Sequence, residues 1–210
     1  MLVQKFGGTS LEDAAALERL CAIVARSQAE RPVVVVSAMG DTTDRLVEAL
    51  ELAAAGEETR ALTGLSRMQR DTERVLRDFF GADAASVERD VAPYFEELAR
   101  MARAVAVLRS VPGAGRDHFL AHGEMTAGSV VARALAARSL PAVRVDSREL
   151  VVTDDRFGRA QPDVQETERR VQEKLGFIHD GKGMLSSKPN GKDVLHLNTI
   201  LTRARFATCH

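Results

Sequence analysis

Pro32 is followed by four consecutive valines, Val33-Val34-Val35-Val36, and then by a small polar loop, Ser37-Ala38-Met39-Gly40-Asp41-Thr42-Thr43-Asp44. Branched apolar side chains at odd and even positions alike leave neither face of a strand for water, so the run predicts a strand buried on both sides. That is the pattern of a parallel sheet between helical layers. The loop then stands at the carboxyl end of the strand, where open α/β sheets bind ligands. Ser37, Thr42 and Thr43 set hydroxyls at that edge. They serve either a ligand or the cap of the next helix, whose apolar stripe is Leu46, Val47, Leu50 and Ala54.

The chain opens with a second unit of the same kind. Leu2-Val3-Gln4 runs as a strand into Lys5-Phe6-Gly7-Gly8-Thr9-Ser10. Residues 1–173 hold 22 arginines and one lysine, Lys5. A lone lysine in so arginine-rich a stretch suggests chemistry that a guanidinium cannot supply, because a compact ammonium on a flexible stem follows one phosphate oxygen where a rigid fork does not fit. Gly7 and Gly8 let the backbone approach a ligand and aim N–H groups at it. A helix starting at Thr9 or Ser10, with Glu12 or Asp13 completing a capping box, would point its positive end at the same spot. Together these parts predict an anion cradle suited to phosphate. The spacing is neither that of a P-loop nor that of the dinucleotide-binding turn, and a Gly-Gly between strand and helix is also the mark of a plain tight turn.

Four segments in order carry a resemblance. Val3-Gln4-Lys5-Phe6-Gly7-Gly8-Thr9-Ser10, the valine run with Ser37 through Asp44, His122-Gly123-Glu124, and Thr153-Asp154-Asp155-Arg156-Phe157-Gly158-Arg159-Ala160-Gln161-Pro162 resemble aspartate kinase over about residues 1–173. The resemblance implies an α/β chain with the three-layer amino-acid kinase-like fold, a mostly parallel sheet between helices, here truncated and carrying a helical insertion at about 57–140. It implies transfer of phosphate from ATP, with Mg2+, to the side-chain carboxylate of L-aspartate, the entry to lysine, threonine and methionine biosynthesis. Lys5 would be the catalytic cation, and Lys5, Gly7, Gly8 and Ser10 would hold the nucleotide's phosphates. Ser37, Thr43 and Glu124 would bind aspartate, Glu124 through its α-ammonium. Phosphoryl transfer asks a protein for positioning and positive charge above all, which agrees with this set. Read without the resemblance, Glu124 at the head of a helix is rather a cap carboxylate held by the dipole.

A net charge of −1 argues against nucleic acid, and no apolar run is long enough to span a bilayer. Cys21 falls on one stripe with Leu17, Leu20 and Val24, and with Cys209 as the second cysteine no disulfide framework is expected. These features, with no signal peptide, predict a cytoplasmic protein. None of the five histidines, His118, His122, His179, His196 and His210, has zinc-ligand spacing with the cysteines, and none is read as a metal ligand. Between about 57 and 140 apolar spacing at Val75, Phe79, Val91, Phe95, Leu98, Met101, Val105 and Leu108 predicts successive helices, punctuated by Pro93, Pro112-Gly113 and Gly115. A short strand, Ala142 to Val145, follows. The loop after it carries Arg156 and Arg159, for an anion or simply for solvent.

From residue 174 the composition changes. Residues 174–210 hold four of the five lysines, both asparagines and two arginines, Arg203 and Arg205. The division read from this is a kinase-like part at 1–173 and a divergent, flexible tail at 174–210, whose Val194 to Leu201 segment is apolar enough to dock as a short strand or helix turn on an exposed sheet edge. Trypsin is expected to cut first between Lys182 and Lys192. The glycine-arginine motif that completes an aspartate pocket, and the adenine-binding half that follows it in aspartate kinases, do not occur in these 210 residues. The chain by itself is therefore expected to form no aspartyl phosphate at a useful rate. Three readings stay open: a kinase completed by a homo-oligomer or a complementing kinase subunit, a catalytically silent anion-binding or interaction module, and a disrupted gene product.

Overall fold

The computed structural model describes residues 2–175, and the backbone of residues 198–202. Strand β1 (Val3–Phe6) leads through a tight turn to helix α1 (Ala14–Arg26), and strand β2 (Val33–Val36) leads to α2 (Thr42–Ala54). β1 and β2 pair in parallel, Val3 opposite Val33 through Phe6 opposite Val36. All four valines of β2 are buried, as the unbroken run predicts. Three long helices follow, α3 (Glu58–Phe80), α4 (Ala84–Leu108) and α5 (Gly113–Ala137). Then come β3 (Ala142–Val145), α6 (Val164–Leu175) and β4 (Asn198–Thr202).

The sheet order is β1-β2-β4-β3, with β4 antiparallel to both of its neighbours. β3 therefore runs parallel to β1 and β2, and all three deliver their carboxyl ends to one edge. The expected docking segment within 194–201 thus meets the sheet between two strands rather than along its outer edge. Residues 176–197 and 203–210 lie outside the described residues, and with them the expected cleavage sites and most of the proposed tail.

One core joins Phe6, Leu11, Leu17, Leu20, Cys21 and Val24 to Val34, Val36, Leu46, Leu50, Phe79, Phe95, Leu98, Phe119 and Leu135. Cys21 is buried on its predicted stripe, and burial pushes its thiol pKa up to about 11. Val33 and Val35 point to the other face of the sheet, against Val145 and Leu150.

Three sequence expectations change. The α1 helix begins at Ala14 rather than Thr9 or Ser10: Gly8–Ser10 form one three-ten turn, Leu11 drops fully into the core, and Asp13 caps the helix by accepting from the Ala16 N–H at 2.6 Å. Pro93 does not end a helix. It lies on the exposed side of α4, where the Arg89 carbonyl that loses its usual N–H partner can turn to water. Gly115 likewise lies within α5, which starts after Pro112, so Glu124 sits in the middle of that helix and not at its head. The dipole-cap reading of Glu124 falls with that placement. Among the described residues no helix is long and apolar enough to cross a membrane.

Candidate functional site

The carboxyl ends of β1 and β2 are tied together by backbone. Ser37 N–H donates to the Phe6 carbonyl at 3.1 Å, and Gly40 N–H donates to the Gly8 carbonyl at 2.9 Å. The approach is so close that a Cβ on Gly8 would stand 2.7 Å from the Gly40 carbonyl oxygen and 3.0 Å from that of Ala38. Gly8 is thus needed for space. Gly40, at φ +51°, is needed for conformation rather than space.

Gly7 has a different position. Its backbone is extended, φ −81° and ψ 177°, and a Cβ there would meet only the Lys5 ammonium, at 3.7 Å. Lys5 Nζ therefore lies beside the bare face of Gly7. Lys5 is exposed and, among the described residues, has no carboxylate partner. Lys174, by contrast, is paired with Glu149 at 2.7 Å. An unpaired ammonium, a glycine with an open face and a second glycine locked against the neighbouring loop fit a phosphate group. The donor set is suited to an anion.

Helix α5 crosses the same corner. A Cβ on Gly123 would lie 2.9 Å from the Ala38 Cβ and 3.3 Å from the Thr42 Cγ2, so the absent side chain is what lets the helix rest on the loop after β2. The next residue of α5, Glu124, is buried, 7% exposed. Ser37 is half-buried at the end of β2, and Thr43 is exposed in the first turn of α2. The residue before α2 is Asp41, which makes no side-chain capping bond, so neither threonine serves as the cap. Ser10 N–H donates to the Gly7 carbonyl at 3.0 Å and closes the turn, placing Ser10 beside the cradle but not at a helix start. The structure thus places Lys5, Gly7, Gly8 and Ser37 at the carboxyl ends of β1 and β2, with Ser10 in the turn and Thr43 in the first turn of α2, while Glu124 lies buried on α5, one residue after the glycine that rests on Ala38.

An open cleft of about 630 Å³ leads away from this corner, from Thr9 and Glu12 past Gly40 and Thr42 to Asp71 and Arg74. Arg45 bridges it, 3.0 Å from Asp71 and 3.8 Å from Asp41. In the loop after β3, Arg156 donates to Asp154 at 2.7 Å and holds that carboxyl below its usual range. That pairing favours the structural reading of Arg156 over a ligand role. Sequence reasoning passed over a third group, Glu97 with His118 and His122, whose signal was the four-residue spacing of the histidines on one helix face.

Comparison with known proteins gives a consistent result. A model of the amino acid kinase family matches residues 1–189, past the change of composition at 174. Lysine-sensitive aspartokinase 3 of Escherichia coli is 30% identical over 197 residues, 91% of this chain and 42% of that one. The chloroplastic bifunctional aspartokinase/homoserine dehydrogenase 1 of Arabidopsis thaliana is 28% identical over 81% of this chain and 19% of its own length. The structure of Escherichia coli aspartokinase III with aspartate and ADP superposes with a TM-score of 0.72 at 28% identity, covering 83% of this chain and 37% of that one. The chain spans less than half the length of each of these relatives.

Proposed function

Given that this chain belongs to the amino acid kinase family, we propose that it forms the phosphate- and amino-acid-binding corner of an ATP-dependent aspartate kinase. The observation that carries this is the exposed Lys5 ammonium, without a carboxylate partner among the described residues, beside the open face of Gly7 and next to the Gly8–Gly40 contact. Lys5 draws the transferring phosphoryl group and stabilises the charge that builds on its oxygens. Gly7 and Gly8 let the backbone close on the phosphates, with Ser10 at the rim. Ser37 and Thr43 orient the acceptor carboxylate by their hydroxyls. Glu124, largely shielded from water, pairs with the acceptor's α-ammonium, an attraction that shielding strengthens. Mg2+ arriving with the nucleotide would neutralise phosphate charge. A relative solved with aspartate and ADP supports this choice of ligands.

Calorimetry with ATP or tripolyphosphate tests the reading. The wild-type chain is expected to bind, Lys5→Ala to lose binding, and Lys5→Arg not to restore it, because the wide fork does not fit beside the glycine backbone. Equal binding by wild type and Lys5→Ala would reduce the cradle to a turn. Trapping with hydroxylamine reads the chemistry separately. The 210 residues alone are expected to give little aspartyl hydroxamate, since each missing transition-state contact costs about 2.7–4 kcal/mol.

A further inference from the structure

On the side of α5 that faces α4, His122 is fully buried and packs edge-on to His118, ring centroids 5.0 Å apart. Its Nδ1 lies 2.9 Å from the His118 carbonyl oxygen. A carbonyl only accepts, so Nδ1 carries the proton and Nε2 of the neutral ring is a bare lone pair. That Nε2 is buried with no hydrogen-bond partner, and the nearest charged group is Oε2 of Glu97, at 3.4 Å, itself an acceptor. Two acceptors facing one another in a protein interior call for a cation between them.

The third donor is already there. His118 Nε2 stands 3.0 Å from the other carboxylate oxygen of Glu97. The three donor atoms lie within 4.8 Å of one another. A tetrahedral Zn2+ with ligands at about 2.0–2.2 Å separates them by about 3.4 Å. Of the two carboxylate–imidazole distances, 3.4 Å matches that spacing and 3.0 Å is shorter, and the partly exposed His118 and Glu97 side chains can rotate to adjust the remainder.

We propose that Glu97, His118 and His122 form a binding site for a borderline divalent metal ion such as Zn2+, which pins α5 to α4. Two imidazoles and one carboxylate select zinc-like ions over Mg2+, which prefers oxygen, so the site is distinct from the metal that accompanies ATP. The carbonyl bonded to His122 Nδ1 orients that ligand from outside the metal's shell. To ligate through Nε2 the neutral His118 ring carries its single proton on Nδ1 instead of on the Nε2 that now faces Glu97. Arg148, whose Nη1 is 3.4 Å from His118 Nδ1, then turns wholly to Asp146, to which it already donates at 2.7 Å.

The test is titration of the full 210-residue chain, without a histidine tag, with Co2+ followed by its visible absorption, and with Zn2+ in calorimetry. One equivalent is expected to bind. Glu97→Gln and His118→Gln, both on partly exposed positions, are expected to weaken binding at least about 10-fold with circular dichroism unchanged, the lower end of what even an outer partner costs. His122 is not the test residue, because its replacement in the core would confound folding with ligation. A variant with His179, His196 and His210 all changed to Gln is expected to bind as wild type. Unchanged affinity in Glu97→Gln and His118→Gln, or loss in the triple variant, would place the metal elsewhere and overturn the proposal. Failure of the wild type to bind below about 1 mM would leave a proton, not a metal, between His122 and Glu97.

Discussion

Gly7 and Gly8 are neighbours with the same side chain and opposite predicted sensitivities. At Gly8 an alanine methyl would fall about 0.7 Å and 0.4 Å inside the 3.4 Å at which ordinary contact begins, against the carbonyl oxygens of Gly40 and Ala38. Both obstacles are backbone, so neither swings aside as a side chain would. Forced overpacking of this kind costs about 1–3 kcal/mol. Retreat of the loop also lengthens the Gly40 N–H to Gly8 carbonyl bond, worth about 1 kcal/mol. Gly8→Ala is therefore expected to lose about 2–4 kcal/mol, which for a chain of this size lowers Tm by roughly 5–15 °C.

Gly7→Ala meets only the flexible tip of Lys5 at 3.7 Å, in a backbone conformation that any residue adopts. Its stability is expected to hold, or to rise by up to about 1 kcal/mol as the unfolded chain loses freedom. Yet the methyl covers the face that a phosphate would share with the ammonium, so tripolyphosphate binding should fall. Urea titration and calorimetry on the two variants separate the effects. If Gly8→Ala is as stable as wild type, or Gly7→Ala is destabilised as much as Gly8→Ala, the assignment of space to one glycine and access to the other is wrong.

Two further outcomes follow from buried or paired groups. Burial pushes the Asp146 carboxyl up, but Arg148 and Arg144 outweigh it and hold it below its ordinary value near 3.8. A lowered folded pKa means stability present above the unfolded pKa and lost as pH falls through the folded one, so the loss develops below about pH 4. Asp146→Asn is expected to flatten that part of a pH series of urea midpoints, and an unchanged acid slope would show that the pair does not act there. For the thiol of Cys21, with Cys209 changed to Ser, about 10⁻³ is thiolate at pH 8 given a pKa of about 11. An aromatic disulfide reagent should therefore react only as fast as the chain opens, and rapid labelling of the folded chain would contradict its burial.

The strand–turn–helix units were legible because each is local. Four valines fix a doubly buried strand whatever follows, and a diglycine after a strand fixes a sharp turn. The start of α1 was not legible, because Leu11 leaves the helix register for a core assembled from distant segments, and Asp13 then becomes the cap by position. Pro93 misled for a related reason: whether a proline ends a helix depends on whether the orphaned carbonyl can reach water, and that depends on which face of α4 is exposed. The antiparallel entry of β4 between β2 and β3 joins segments more than fifty residues apart, and no local pattern in Asn198–Thr202 specifies it.

The segment His122-Gly123-Glu124 shows why a correct motif can conceal half of its content. Read as a string, it supplied one substrate-binding candidate, Glu124. On a helix, consecutive residues are turned by about 100°, so the three face different directions: His122 meets Glu97 of α4, Gly123 rests on Ala38 and Thr42, and Glu124 is buried on a further side. The glycine admits the loop after β2 so closely that α5 cannot shift without moving Ala38, whose carbonyl also confines Gly8. A cation that draws His122 toward Glu97 therefore pulls on the helix that carries Glu124, through one rigid turn and one tight contact. Linkage makes such coupling reciprocal in free energy: if Zn2+ changes the affinity for an amino-acid acceptor, the acceptor changes the affinity for Zn2+ by the same factor. Gly123 is the tight contact between that helix and the loop after β2. Gly123→Ala, which forces α5 off Ala38, is expected to disturb the anion corner even though residue 123 contributes no side chain to it.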